Sequence, residues 1–294
     1  MKNPYATQTA KLIKITNQAP NIKLFRFDLD KKLDFSPGQI IFLSIPGFGE
    51  APFAPCNPLE TDFLELCVRK VGKLTQILHK LKIGDSVGIR GPYGQGWPLF
   101  SHCESINGWT KQSQSISTKL PHDHNIRNNK IKNLMLVVGG LGLIPLRTLL
   151  WGKNKFLPNE TKIQIFYGAK TPDDFLFKND YAEWKEQGID LKLTIDKECP
   201  GWNECVGVVT ALFNKNMISP NAIAFLCGPP IMYKFVLEKL KEKNLPDENI
   251  YLSLERRMHC GIGVCQHCAI GSFYTCKDGP IFRYDKIKNI PNAI

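Results

Sequence analysis

The chain has 294 residues, 43% of them hydrophobic and 22% charged, with a formal net charge of +11. A chain this long can bury a sizeable core and suits two or three domains. No apolar run reaches the roughly 18 residues of a membrane span. The N-terminus, Met1-Lys-Asn-Pro-Tyr-Ala, lacks the apolar stretch of a signal peptide, so a cytoplasmic protein is expected. Lys and Arg are spread along the chain with no block of like charge. This argues against a nucleic-acid partner and leaves an anionic cofactor or an acidic partner as the use of the charge.

Residues 8–100 read as all-β. Alternating or β-branched apolar residues predict strands at 11–16, 21–28, 39–45, 62–70 and 86–90. A short amphipathic helix over 74–81 is broken by Gly84-Asp85. Several short strands with one helix suggest a small barrel. Residues 101–132 are polar with little periodicity and read as an exposed insertion at a domain junction. Its His102, His122 and His124 fit a solvated loop better than a metal site. From 133 onward strands and helices alternate. Strands are predicted at 134–138, 162–167, 190–195, 222–227 and 249–254. Helices are predicted at 145–151, 180–186, 210–214 and 231–243. That alternation predicts a parallel sheet covered on both faces.

The strongest chemical signal lies near the C-terminus, in Cys260-Gly-Ile-Gly-Val-Cys265-Gln-His-Cys268 followed by Cys276. Thiolates are soft ligands, and C-x4-C-x2-C with a fourth Cys further on is a plant-ferredoxin type of spacing for a 2Fe–2S cluster. Gly261 and Gly263 let the backbone turn tightly around such a group. The remaining six cysteines are scattered, which favours a metal site over a disulfide framework. The four cysteines also admit a four-thiolate zinc site in a basic binding protein. Against that, the stretches between them are short for a zinc ribbon, and no basic–aromatic interleaving accompanies them.

Three further motifs concern phosphate and nucleotide. Val137-Val-Gly-Gly-Leu-Gly-Leu-Ile-Pro145 lies where a strand turns into a helix, a place that admits a pyrophosphate. Its spacing is not G-x-G-x-x-G, so a plain tight turn stays open. Cys227-Gly-Pro-Pro230 ends a later strand and is expected at the same sheet edge. Cys227 is otherwise a buried small apolar residue. Gly72-Lys-Leu-Thr75 opens a helix, where free N–H groups bind phosphate or simply form a cap.

In chain order come Gly49-Glu-Ala-Pro-Phe53, Val68-Arg-Lys-Val-Gly-Lys-Leu-Thr75, Gly91-Pro-Tyr-Gly94, Gly139-Gly-Leu-Gly-Leu-Ile-Pro145 and Tyr167-Gly-Ala-Lys-Thr-Pro-Asp-Asp174. Cys227-Gly-Pro-Pro-Ile-Met232, Glu255-Arg-Arg-Met-His-Cys260 and Cys276-Lys-Asp-Gly-Pro280 complete the series. Together they resemble the ferredoxin–NADP reductase superfamily across nearly the whole chain apart from 101–132. Within it the chain is most similar to the gamma (diaphorase) subunits of cytoplasmic hydrogenase/sulfur reductases and to the anaerobic sulfite reductase B subunit. The dihydroorotate dehydrogenase electron-transfer subunit is a sister with similar motifs. It usually has a longer gap between its third and fourth cluster cysteines than the seven residues found here.

The resemblance implies an N-terminal antiparallel β-barrel for FAD over 1–100, an insertion over 101–132, a Rossmann-like α/β domain for NAD(P)H over 133–245, and a small C-terminal 2Fe–2S module over 246–294. It places Pro52 and Phe53 against the flavin ring with Val68 and Arg69 close by. Gly72, Lys73, Leu74 and Thr75 would hold the flavin pyrophosphate. Gly139, Gly140, Gly142 and Pro145 would line the pyridine-nucleotide site, with Thr194, Asp196 and Gly207 near it. Gly228, Pro229 and a catalytic Cys227 would approach the nicotinamide. Cys260, Cys265, Cys268 and Cys276 would hold the cluster. The implied partners are hydrogenase-like or sulfite-reductase-like redox subunits. Many relatives have Arg where Ala51 stands and Ser or Thr where Ala54 stands. An arginine–phosphate contact and a hydroxyl near the flavin are therefore missing, and a subunit without nucleotide turnover is a further reading. Lys170 alone does not decide between NAD and NADP.

Overall fold

A computed structural model describes residues 3–58, 60–99, 131–219 and 221–294. The histidines of the polar insertion, with Cys103, lie outside the described residues. The N-terminal sheet contains β1 (Gln8–Ala19), β2 (Ile22–Leu29), β3 (Ile40–Ile45), β4 (Gly49–Phe53), β5 (Phe63–Arg69) and β6 (Ser86–Tyr93). Their order is β4-β3-β6-β1-β2-β5, and every pairing is antiparallel. Edge strands β4 and β5 run on to an antiparallel bridge between Pro55 and Leu66. The helix α1 (Lys73–Leu78) lies between β5 and β6 in the chain.

Strand alternation gives the two faces of this sheet different work. Leu12, Phe25, Phe27, Ile41, Leu43, Leu66 and Ile89 form its own core. Phe42, between Ile41 and Leu43, joins Ile40, Tyr93, Met258, Cys268 and Cys276 in a separate cluster. Strand β4 is absent from the sequence prediction because Gly-Glu-Ala-Pro-Phe has little β character. Its Pro52 is tolerated at a sheet edge, where one side of the strand needs no ladder bond.

The second sheet contains β7 (Asn133–Gly139), β8 (Lys162–Ala169), β9 (Asp190–Ile195), β10 (Cys205–Val206), β11 (Ile223–Cys227), β12 (Ile250–Ser253) and β15 (Ile281–Arg283), in the order β10-β9-β8-β7-β11-β12-β15. The pairs from β10 to β12 are parallel. The expectation of a parallel sheet is corrected at one edge, where β15 pairs antiparallel with β12. The middle strand β7 is buried at every position from Leu134 to Val138. A continuous apolar run of that kind is what a sheet covered on both faces requires. Strands β12 and β15 both belong to this sheet, so the cysteine segment leaves and rejoins its edge. A boundary at 245/246 thus falls between two parts of one sheet. The excursion carries a small hairpin of β13 (Ala269–Ile270) and β14 (Phe273–Tyr274).

The two sheets meet through a shared apolar cluster that includes Leu24, Cys56, Cys67, Trp97, Leu143, Leu146 and Phe225. Trp97 stacks on Phe225 at 4.5 Å and donates to the Pro145 carbonyl at 3.2 Å. Arg147, in the helix Ile144–Trp151, donates to Asp180 at 2.7 Å and to Glu65 at 2.8 Å. Arg26 reaches the same Glu65 at 2.8 Å. Among the described residues no helix is long and apolar enough to cross a membrane.

Candidate functional site

Strands β7 and β11 lie side by side with Val138 opposite Cys227, so their carboxyl ends open at one edge. There the two turns interlock. A β-carbon on Gly142 would lie 1.9 Å from the Cys227 carbonyl oxygen. One on Gly139 would lie 2.9 Å from both Met232 Sδ and Pro229 Cδ. Glycine is what lets these backbones approach. The buried Tyr167 braces the loop, its hydroxyl donating to the Gly140 carbonyl at 3.0 Å and accepting from the Leu176 amide at 3.1 Å. The structure thus brings together Gly139, Gly140, Gly142, Cys227, Gly228 and Pro229. The Cys227 thiol is pushed up to about 12 by burial, which a hydrogen bond with Ser253 offsets only in part. It is a neutral thiol near neutral pH.

Pro145 sits in the first turn of the helix that follows the glycine loop. Thr194 and Asp196 stand at the end of β9, two strands from β7. Thr194 is buried, and its hydroxyl donates to the Gly207 carbonyl at 2.6 Å. Asp196 is exposed.

In the N-terminal domain Pro52 pairs across the strands with Phe42, and Phe53 with Ile41. Phe53 packs against the domain's own core, whereas Ala54 packs against the cluster shared by the two sheets. Val68 is buried and Arg69 exposed at the end of β5. Thr75 Oγ1 accepts from the Val71 and Gly72 amides at 3.0 and 2.9 Å and donates to the Gly72 carbonyl at 3.0 Å. That hydroxyl is committed to the cap. Gly72 and Lys73 are exposed, and Leu74 turns toward the core. The first N–H groups of α1 have no intrahelical partner. A cleft of about 340 Å³ lined by Lys23, Lys70, His79 and Lys80 beside α1 shares none of the predicted site residues.

The four C-terminal cysteines fall into two neighbouring pairs. Cys260 Sγ accepts from the amides of Ile262, Val264 and Cys265 at 3.4, 3.3 and 3.5 Å. Cys276 Sγ accepts from Gly263 at 3.2 Å, and Cys268 Sγ from Cys276 at 3.5 Å. Burial alone would raise the Cys260 thiol, but these amide donors outweigh it and hold its pKa below the ordinary value. The Cys265 pKa is lowered by hydrogen bonding to His267 and Cys260. The Cys276 thiol is pushed up to about 12 by burial and by Cys268.

Thiols 260 and 265 are within hydrogen-bond reach of one another, as are 268 and 276. Among the described residues no three His, Cys, Asp or Glu side chains converge as the ligands of a single ion do. The two pairs of thiols lie under a canopy of backbone amides, a donor set that suits a thiolate-bound iron–sulfur group. Gly261 and Gly263 hold φ of 85° and 77°, the left-handed region in which glycine is preferred.

Sequence reasoning missed Arg90. From β6 it donates to the His259 and Cys260 carbonyls, each at 2.9 Å. Only the neighbouring Gly91-Pro-Tyr-Gly94 stood out in the sequence. An arginine inside a strand carries no signal of its own until the chain that it meets 170 residues later is in place.

The same three parts emerge from comparison with known proteins. The family described as the oxidoreductase FAD-binding domain matches residues 9–97, and the oxidoreductase NAD-binding domain matches 136–238. The iron–sulfur cluster binding domain of dihydroorotate dehydrogenase B matches 255–288. The sulfhydrogenase 2 subunit gamma of Pyrococcus furiosus is 36% identical over 310 residues, covering 96% of each chain. The probable dihydroorotate dehydrogenase B (NAD(+)) electron transfer subunit of the same organism is 33% identical, covering 92% of this chain and 88% of that one. Among solved structures, an NADH-dependent reduced ferredoxin–NADP oxidoreductase superposes with a TM-score of 0.65 at 23% identity. It covers 96% of this chain and 92% of that one, and it shows the fold. The chain belongs to the family of ferredoxin–NADP-reductase-like oxidoreductases that join FAD-binding, NAD-binding and iron–sulfur cluster binding domains, close to the sulfhydrogenase gamma and dihydroorotate dehydrogenase B electron-transfer subunits.

Proposed function

We propose that this chain is the NAD(P)H-dependent electron-transfer subunit of a hydrogenase- or sulfur-reductase-like complex, with FAD on a barrel formed by the N-terminal sheet and a 2Fe–2S cluster on Cys260, Cys265, Cys268 and Cys276. FAD supplies the conversion between the two-electron chemistry of nicotinamide and the one-electron chemistry of the cluster.

One row of residues carries this reading. Pro52, Phe42 and Arg90 lie side by side across β4, β3 and β6, and Arg90 bonds the carbonyl of Cys260. At ~4.8 Å between strands, Pro52 and Arg90 are about 10 Å apart. The cysteine loop is therefore docked on the strands whose edge carries the proposed flavin wall.

Each group of residues has a separate task. The interlocked turns at Gly142 and Cys227 offer a nucleotide a close backbone approach and a dry, uncharged thiol surface. Cys227, being protonated, orients and excludes water and is not a base. Lys73 presents charge in the first turn of α1, where a pyrophosphate would find free amides, and Arg69 adds an exposed charge at the end of β5. Ala54 offers no hydroxyl to a flavin ring, so hydride transfer relies on packing at that point. The short Cys268–Cys276 gap favours the hydrogenase or sulfite-reductase branch over dihydroorotate oxidation.

Purified protein should contain iron and acid-labile sulfide, and should show flavin and 2Fe–2S absorption bleached by NADH or NADPH. Zinc without iron, or a chromophore that neither nucleotide reduces, refutes the reading. Co-purification with hydrogenase-like, sulfite-reductase-like or dihydroorotate-oxidising subunits identifies the branch.

A further inference from the structure

We propose that Arg90, backed by Glu50, is the positioning residue that docks the cysteine loop on the N-terminal domain and sets how readily a cluster held there accepts an electron. The proposal rests on the iron–sulfur reading of the four cysteines.

A buried arginine is costly unless its charge and its donors are met. Arg90 is 6% exposed, and all five of its N–H donors are used. Nε and Nη2 reach the two carboxylate oxygens of Glu50 at 2.9 and 2.5 Å. Nη1 donates to the Tyr93 hydroxyl and the Cys260 carbonyl, both at 2.9 Å. The remaining Nη2 proton goes to the His259 carbonyl at 2.9 Å. The guanidinium lies 4.0 Å from the centre of the Phe42 ring, a cation–π contact strengthened by burial. The far side is closed by the loop itself. A β-carbon on Gly261 would stand 3.2 Å from Arg90 Nη1, Phe42 and Tyr93.

Such a fork does two things. It fixes two consecutive carbonyls, and so fixes the Cα of Cys260 and the thiol that three amides already hold. It also places a cation beside the loop, balanced by one carboxylate on its outer side. When a cluster takes one electron from the reduced flavin, one iron passes from ferric to ferrous and the site gains one negative charge. The Arg90 charge favours that gain, and Glu50 opposes it. Lysine could supply the charge but not the fork, since it has three donors on one point.

The two members of the pair should therefore move the cluster in opposite directions, which loss of packing alone would not do. In EPR-monitored redox titration of the full-length holoprotein, Arg90→Gln should lower the equilibrium constant for cluster reduction about tenfold, which is about 59 mV for one electron. Glu50→Gln should raise it by less, since Glu50 is 36% exposed and its field is screened. Arg90→Lys should stay nearer the wild type in potential while amide exchange over 259–265 quickens severalfold. Shifts of the same sign in Arg90→Gln and Glu50→Gln, or no shift in either, overturn the proposal. If Arg90→Gln fails to assemble, Glu50→Gln decides, and an unchanged or lowered potential is fatal. Absence of iron from the wild type would instead refute the iron–sulfur assignment itself.

Discussion

Gly142→Ala is the sharpest perturbation of the proposed nucleotide edge. Its β-carbon would meet the Cys227 carbonyl oxygen at 1.9 Å and the carbonyl carbon at 2.4 Å, against an ordinary contact of at least 3.4 Å. Both atoms are backbone, so no side chain can swing aside. The two turns must separate by about 1.5 Å, the shortfall from 3.4 Å at the closer atom. Overpacking of this kind costs about 1–3 kcal/mol. Spent on the loop proposed to receive the nucleotide, it should weaken NAD(P)H binding by about 5- to 150-fold. Titration calorimetry with NADH and NADPH reads the affinity, and thermal unfolding reads the remainder. Gly140→Ala is the control. It has no atom within 4 Å but holds φ of 53°, so it should cost about 1–2 kcal/mol of backbone strain without displacing Cys227. A Gly142→Ala protein with wild-type affinity and wild-type melting temperature would refute the reasoning that close backbone approach builds this edge.

Arg147→Met should cost about 3–5 kcal/mol in urea unfolding, because it leaves Asp180 unpaired and Glu65, 3% exposed, to Arg26 alone. A loss below about 1 kcal/mol would mean that the network between the two sheets is not what holds them. In the chain stripped of iron, iodoacetamide at pH 8 should modify Cys260 and Cys265 first, since a lowered pKa leaves more thiolate below the ordinary thiol value. Cys56 and Cys227, each pushed up to about 12 by burial, should react last. Peptide mapping reads the order, and early labelling of Cys227 would contradict its burial.

The parts whose chemistry is local were legible in the sequence. Cysteine spacing announced the segment that the iron–sulfur cluster binding domain matches, and the β–α alternation announced the second sheet. The glycines at 139, 140 and 142 marked the turn that the structure places against Cys227. Strand β4 was missed because its β character comes from its partner β3, not from Gly-Glu-Ala-Pro-Phe. Strand β15 was missed because three residues, Ile281–Arg283, carry no period, and their role is set by the free edge of β12.

What the sequence determined by itself is therefore the inventory: which residues can bind metal, approach phosphate or build a covered strand. These depend on side-chain chemistry and on spacings of a few residues. Only the tertiary structure decided where the inventory meets. It set Phe42 between Pro52 and Arg90, put Arg90 under the carbonyl of Cys260, and returned the cysteine excursion to the edge of the parallel sheet. Contacts across such separations follow from strand order and register, and no local pattern in the chain encodes them.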